Sequence, residues 1–297
     1  MAVYKKSYRP YEGVLRPGWS RFTVLTHYSF EEMRRSRFLT IFYLATFLYP
    51  LVCALILYLR HNTSAISVLK IDAAKLIPVG TTFFAHLLGW QSMLAFFLAA
   101  FVGPGLISPD LSHNALPLYL ARPFSRTEYV LGKMSVLMGL MSLMTWIPGV
   151  LLFVLQGYLE GWQWASDNMR IAWALFASAW VWILVLTLLS LALSAWVKWR
   201  PVAGALLFGV FFVAAAFGAA INGVMRTKWG HLVNLSYLIG TVWNGLFDLK
   251  PGEGAVFFGV PVSEDISVSL CVAMLAAMCG LCLYLLALRI RGAEVVR

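Results

Sequence analysis

The sequence contains few charged residues. Asp, Glu, Lys and Arg make up 12% of its 297 positions, whereas hydrophobic residues make up 61%. A soluble domain carries about 25% charged residues because its surface must be hydrated. The mean hydropathy of +0.78 therefore excludes an ordinary soluble domain and predicts a protein that crosses a membrane several times.

Cysteines are also few, and a leader peptide is not expected. Three of the four cysteines (Cys271, Cys279 and Cys282) lie in one apolar stretch without a polar ligand beside them, so we predict packing residues rather than a metal site or a disulfide. The first 37 residues lack the apolar core of a signal peptide, yet they hold eight of the 23 Lys and Arg. Such a basic segment before an apolar run is typical of the cytoplasmic membrane surface, and we expect no nucleic-acid partner.

Six apolar segments are long enough to cross about 30 Å of hydrocarbon, which takes about 20 helical residues. We number them as spans 1 to 6, with predicted limits of about Phe38–Leu59, Thr82–Ser108, Val130–Leu159, Ile171–Val197, Pro201–Val224 and Ile266–Ile290. Pro50, Pro104 and Pro148 lie within spans 1 to 3 and predict kinks there.

The distribution of basic residues predicts the orientation of the spans. With the N-terminus inside, 16 of the Lys and Arg lie on the inner side of the membrane and 7 on the outer side. Because basic residues are retained on the cytoplasmic side, both termini are predicted to be cytoplasmic. The predicted fold class is an all-α integral membrane protein in which residues 38–297 form one six-span domain.

Residues 1–37 are predicted to form a cytoplasmic N-terminal segment with an amphipathic helix over Phe22–Phe38. One side of this helix is largely apolar, and the other carries most of the charge. An interfacial elbow helix in the inner headgroup layer and a solvated cytoplasmic helix both fit this pattern. The largely apolar side consists of Phe22, Leu25, Thr26, Ser29, Phe30 and Met33.

The cytoplasmic loop between spans 2 and 3, residues 109–129, is unusually apolar for a loop. Its sequence from Ser108 to Lys133 is SPDLSHNALPLYLARPFSRTEYVLGK. An apolar patch framed by charged residues is typical of a protein-binding surface, although a re-entrant or interfacial helix without a partner fits equally well.

The same run resembles the signature of the type-2 exporter permeases of ATP-binding-cassette (ABC) transporters. The matching features are an acidic residue after span 2 (Asp110), the turn LPLYLARPFSR, and a Tyr … Gly-Lys sequence that opens span 3. Family members are similar to this chain in having six spans, cytoplasmic termini and an elbow helix. One departure is that a frequent acidic stretch of the family is replaced here by Ser112–Leu116.

The resemblance implies a function. In this family the loop is a coupling helix that docks into a groove on a separate cytoplasmic ATPase dimer and transmits its motion to the spans. The residues assigned to this ATPase contact are Asp110, Leu111, Leu116, Leu118, Tyr119, Arg122, Pro123, Arg126 and Glu128.

The chain is not expected to be an enzyme, because it has no GxxxxGK[ST] phosphate-binding loop. ATP and Mg²⁺ would be bound by the partner ATPase, and no cofactor is expected on this chain. A second copy of the chain or a homologous permease would complete the pathway, in the plasma (inner) membrane of a bacterium. The apolar, aromatic-rich spans favour export of a hydrophobic or amphipathic substrate.

Residues 231–248, between spans 5 and 6, are predicted to form a helix at the outer interface. Leu, Ile, Val and Trp residues fall on one face, and the other face consists of Asn234, Tyr237, Thr241, Asn244 and Asp248. The helix is either a lid over the exit of the pathway, as the resemblance implies, or a passive interfacial anchor. The lid residues would include Asn234, Trp243, Asn244 and Asp248.

Polar residues within spans are costly and therefore candidates for function. His86, Gln91 and Asn222 are such candidates for the translocation pathway, although hydrogen bonding to a neighbouring helix explains such residues equally well.

Two other functions remain open. A membrane subunit of the ABC type that powers an extracytoplasmic partner would need the same loop. An integral-membrane lipid enzyme would need clustered catalytic groups, for which His113 and Asn114 near Asp110 are a poor set.

Overall fold

The computed structural model describes residues 21–62, 79–113, 115, 125–250 and 266–290. In this part of the chain the regular elements are helices, without a strand. Six segments are long and apolar enough to cross a membrane: Arg37–His61, Thr81–Ser112, Arg126–Glu160, Met169–Trp196, Arg200–Met225 and Val268–Arg289. The prediction of six spans is confirmed, and no predicted end differs from the observed one by more than four residues.

Spans 2, 3 and 4 form the centre of the bundle. Between 56% and 72% of their most apolar windows is buried, against 17% to 22% for spans 1, 5 and 6. Large apolar side chains of these three outer spans, such as Leu51, Phe217 and Leu281, are exposed. In a membrane protein such faces contact lipid or another helix.

The two ends of the bundle differ in what they carry. We call the end that carries the loop between spans 2 and 3 the loop end. Span 1 begins there, where Phe38 contacts Phe101 of span 2, and span 6 ends there, where Arg289 donates to the Ala195 carbonyl of span 4. The opposite end is the far end.

The predicted kinks are present as breaks in spans 1 to 3. The three spans are each divided into two helices, whereas spans 4, 5 and 6 are continuous. The break points and the prolines that follow them are Phe47 and Pro50, Gly103 and Pro104, and Thr145 and Pro148.

A side chain of span 2 compensates the break in span 1. Pro50 has no N–H to donate to the Thr46 carbonyl four residues before it. Gln91 Nε2 donates to that carbonyl instead, at 3.3 Å. Both residues are buried, so the bond replaces the missing helical hydrogen bond inside the bundle.

Two serines of span 4 hold the break in span 2. The Ser194 hydroxyl accepts the N–H groups of Ile107 and Ser108 and donates to the Pro104 carbonyl at 3.0 Å. One turn earlier, Ser190 donates to the Ala99 carbonyl at 3.3 Å. The short helix Pro104–Ser112 is therefore fixed to span 4.

The N-terminal helix (Arg21–Arg34) packs against the start of span 3. The Thr26 hydroxyl donates to the Gly132 carbonyl at 3.2 Å and lies 2.6 Å from the Ser135 hydroxyl. Leu25 and Ser29, on the side predicted to be apolar, are buried. The position of this helix in the headgroup layer stays a prediction.

A second short helix, Leu235–Phe247, lies between spans 4, 5 and 6, and we call it the connecting helix. The sequence predicts one exposed polar face, but Tyr237 and Thr241 of that face are 0% and 5% exposed. The Thr241 hydroxyl has its partner within the helix, since it donates to the Tyr237 carbonyl at 2.9 Å. The first two turns of the helix are therefore enclosed by protein on both faces.

Candidate functional site

The structure describes the two ends of the loop between spans 2 and 3. Of the predicted ATPase contacts, Leu116, Leu118, Tyr119, Arg122 and Pro123 lie outside the described residues. The ones that it describes are Asp110, Leu111, Arg126 and Glu128.

The two ends of the loop are joined by a buried ion pair. The Asp110 carboxylate lies 3.0 Å from Lys133 Nζ, and the Tyr129 hydroxyl donates to the same carboxylate oxygen at 2.8 Å. The side chains of Lys133 and Asp110 are only 8% and 16% exposed, and Tyr129 is fully buried. A charge in such a place is costly unless it is paired, so each residue depends on the others. We call these three residues the loop-base cluster.

The described residues that flank the loop are ordered by local hydrogen bonds. Ser125 and Glu128 form a capping box, in which each side chain accepts the backbone N–H of the other residue. Arg126, the first residue of span 3, is exposed beside this cap. On the other side, the Ala115 N–H donates to the Asp110 carbonyl at 2.8 Å. Span 3 therefore begins at a defined residue, directly after the loop.

The loop base is also connected to span 4. The Ser108 hydroxyl lies within hydrogen-bond distance of two carbonyls in the turn after span 4, at 2.8 Å from Val197 and 2.5 Å from Lys198. The half-buried Leu111 packs against the bundle core. A displacement of the loop would therefore act on spans 2, 3 and 4 together.

Sequence reasoning places Asp110 in the site but leaves out its two partners. Tyr129 and Lys133 are one helical turn apart, and Lys133 lies inside an otherwise apolar run. A lysine in that place needs a counter-ion, and Asp110 is the acidic residue that ends the preceding span. This pattern is sufficient to predict the pair of Asp110 and Lys133 from the sequence.

The three predicted pathway residues are not brought together. His86 is exposed on span 2, on a surface that also carries the exposed Trp90. Gln91 is buried and donates to span 1 as described above. Asn222 accepts the Gly230 N–H at 2.7 Å and so fixes the short turn that follows span 5. The contacts of Gln91 and Asn222 are those expected of hydrogen bonding between neighbouring segments.

The predicted lid residues lie in the connecting helix or at its two ends, and they differ in how far they are buried. Asn234 caps its start by accepting the Tyr237 N–H, and Trp243 is buried and donates to the Ser178 carbonyl of span 4 at 2.9 Å. Asn244 is half-buried. Asp248 is exposed at the end of the helix and forms an ion pair with Arg170 at 2.8 Å.

Among the described residues, no group of three His, Cys, Asp or Glu side chains is placed to hold a metal ion. No protein-family model matches the chain, and no curated protein matches it. Its function must therefore be inferred from its own residues.

Proposed function

We propose that the chain is the membrane subunit of an ABC exporter and that the loop between spans 2 and 3 docks on a separate cytoplasmic ATPase, which binds ATP and Mg²⁺. The observation that carries this proposal is the loop-base cluster. Asp110, Tyr129 and Lys133 hold the ends of an apolar, proline-bounded loop in a fixed relation to the bundle. The resemblance of residues 108–133 to the coupling sequence of type-2 exporters supports it.

The cluster explains how such a loop would transmit force. A push on a loosely attached loop would be absorbed by the loop itself. Here the entering helix is hydrogen bonded to span 4 through Ser194, and the leaving helix is paired to the entering helix through Lys133. Both attachments are buried, so water does not compete for these hydrogen bonds.

The remaining features of the proposal concern assembly and substrate. The loop end is cytoplasmic, and two copies of the chain enclose one pathway for a hydrophobic or amphipathic substrate. The apolar exposed faces of spans 1, 5 and 6 support an assembly through the outer helices. On span 5, Ala219 and Gly223 lie on such a face, and small residues allow close approach of another helix.

The direct test is purification of the tagged chain from its own cells, with any ATPase that purifies with it identified by mass spectrometry. Leu118→Asp combined with Tyr119→Asp places two charges in the apolar part of the loop. Because a charge in an apolar groove is unfavourable unless paired, we expect loss of the ATPase from the purified complex and loss of ATP hydrolysis.

A matched control places the same two charges at the far end, with Tyr158→Asp and Trp162→Asp at residues that are 73% and 65% exposed. This variant should retain the ATPase. Equal retention by both double variants would mean that the loop is not the docking site. ATP hydrolysis that is stimulated by a lipid or drug-like substrate would distinguish transport from the powering of an extracytoplasmic partner.

A further inference from the structure

An apolar pocket of about 230 Å³ lies at the loop end, where the N-terminal helix meets the bundle. Phe30 of the N-terminal helix, Leu98 of span 2 and Leu140 of span 3 form part of its wall. Leu39 and Leu44, from the first turns of span 1, also line it. For comparison, an apolar cavity of about 150 Å³ in another protein binds benzene. The pocket therefore has room for several methylene groups.

The polar atoms in the wall of this pocket have partners within the protein. The Thr40 hydroxyl donates to the Ser36 carbonyl at 3.1 Å, and the Tyr43 hydroxyl donates to the Leu140 carbonyl at 3.4 Å. These two side chains therefore present mainly carbon to the pocket. An occupant gains little from polar groups there, and an alkyl chain is the chemistry that fits.

A second, polar cavity adjoins the first through a shared residue. Phe30 lines both, and the second cavity, of about 450 Å³, is otherwise lined by His27, Glu31 and Arg35. Arg35 is exposed and lies 3.8 Å from Glu31, a separation at which an exposed ion pair contributes little. Its guanidinium is therefore available to a stronger acceptor such as a phosphate.

The position of the two cavities matches the order of groups in a membrane lipid. Arg35 lies directly before span 1, where the basic sequence RRSR (34–37) indicates the headgroup layer. The apolar pocket begins one helical turn further along the chain, at Leu39. A molecule that enters from the membrane would have its charged group at Arg35 and its alkyl chain beside span 1.

We propose that this composite site binds one phospholipid, with an acyl chain in the apolar pocket and the phosphate at Arg35. The bound lipid would fill the space between the N-terminal helix and spans 1 to 3. Because the N-terminal helix also contacts span 3 through Thr26, the lipid would stabilise the contact between this helix and the bundle. This site does not depend on an ATPase, so its test does not depend on the proposed function.

The test uses the purified full chain in detergent, titrated with dioleoyl phosphatidylglycerol, with bound lipids counted by native mass spectrometry. Thr40→Trp fills the apolar pocket from an exposed position and should weaken the first lipid bound about tenfold, since it excludes at least two buried methylenes. Ile41→Trp is the matched control, because Ile41 is 67% exposed at the same depth but does not line the pocket. It should bind like the wild type.

Dioleoylglycerol, which lacks the phosphate, separates the two halves of the site. Arg35→Gln should weaken binding of phosphatidylglycerol several-fold and leave binding of dioleoylglycerol unchanged, whereas Thr40→Trp should weaken both. Leu44→Trp provides a second pocket-filling variant should Thr40→Trp fail to fold. Wild-type binding by the folded pocket-filling variant, or equal loss of both ligands in Arg35→Gln, would overturn the proposal.

Discussion

Gly103 and Ser190 are in such close contact that a Cβ atom on Gly103 would lie 1.7 Å from Ser190 Oγ. The glycine is at the break in span 2, directly before Pro104, and Ser190 faces it from the last third of span 4. The two central spans approach each other closely here because this position lacks a side chain.

We therefore expect Gly103→Ala to lower the free energy of unfolding by about 2 kcal/mol, the usual range for overpacking a filled interior. In a Ser190→Gly background the loss caused by Gly103→Ala should be smaller, since two of the three closest atoms belong to the Ser190 side chain and only the Ala99 carbonyl oxygen, at 2.7 Å, remains. Unfolding in mixed micelles with increasing dodecyl sulfate measures the free energy of unfolding of each variant. Gly105→Ala is the control, because a Cβ there has no heavy atom within 4 Å, and it should be neutral or slightly stabilising.

The second prediction concerns the loop-base cluster. Asp110→Asn and Lys133→Met should each lower the free energy of unfolding by about 3 kcal/mol, because each leaves an unpaired buried charge. The double variant should lose clearly less unfolding free energy than the two single variants lose together. Additive losses would show that the 3.0 Å pair does not couple energetically.

The exposed ion pair at the far end is the comparison for these variants of the buried pair. Arg170 and Asp248 also approach to 2.8 Å, but their side chains are 59% and 74% exposed. Asp248→Asn should change the free energy of unfolding by no more than about 1 kcal/mol. An effect as large as that of Asp110→Asn would mean that burial does not decide the energy of these pairs.

The third prediction tests the role assigned to Gln91. Gln91→Leu leaves the buried Thr46 carbonyl without its donor and should cost about 1–3 kcal/mol of unfolding free energy. In a Pro50→Ala background the cost should fall, because residue 50 then has an N–H for that carbonyl. A cost that is the same in both backgrounds would contradict the role of Gln91 as a substitute donor.

The fourth prediction concerns orientation. With the loop end in the cytoplasm, a cysteine in place of Asn62 should react with a membrane-impermeant maleimide on intact cells. A cysteine in place of the exposed Ser112 should react only after permeabilisation. The native cysteines interfere little, since three are buried and Cys279 is half-buried in span 6. The opposite labelling pattern would invert the topology and remove the basis for a cytoplasmic docking loop.

Hydropathy and proline positions were sufficient to predict the spans and their breaks. Each span is a long apolar run bounded by charged or polar residues, and a proline in the middle of such a run removes a backbone donor from the helix. Interior contacts that depend on distant segments were beyond such reasoning. The sequence marks Gly103 as one glycine among 23, and nothing in it shows that Ser190 lies opposite.

The connecting helix shows a different limit of sequence reasoning. Its polar residues at every third or fourth position predict a face in contact with water or headgroups. In the structure, spans 4, 5 and 6 enclose the first two turns of the helix, and groups on that face bond internally, as Asn234 does to the Tyr237 N–H. Periodicity cannot show whether a polar face finds its hydrogen-bond partners in solvent or in protein.

The breaks in spans 1 to 3 give the bundle an uneven mechanical stiffness. Bending an intact helix requires its backbone hydrogen bonds to lengthen or break, but Pro50, Pro104 and Pro148 already remove one backbone donor from each of these spans. In spans 1 and 2 the hydrogen bonds of Gln91, Ser190 and Ser194 hold the breaks, so a change of angle there has to break contacts with a neighbouring span. Span 4, with 28 uninterrupted residues at the centre, has no such break and carries the two serines to which the break in span 2 is bonded, so the angle of span 2 is tied to the straightest element of the core.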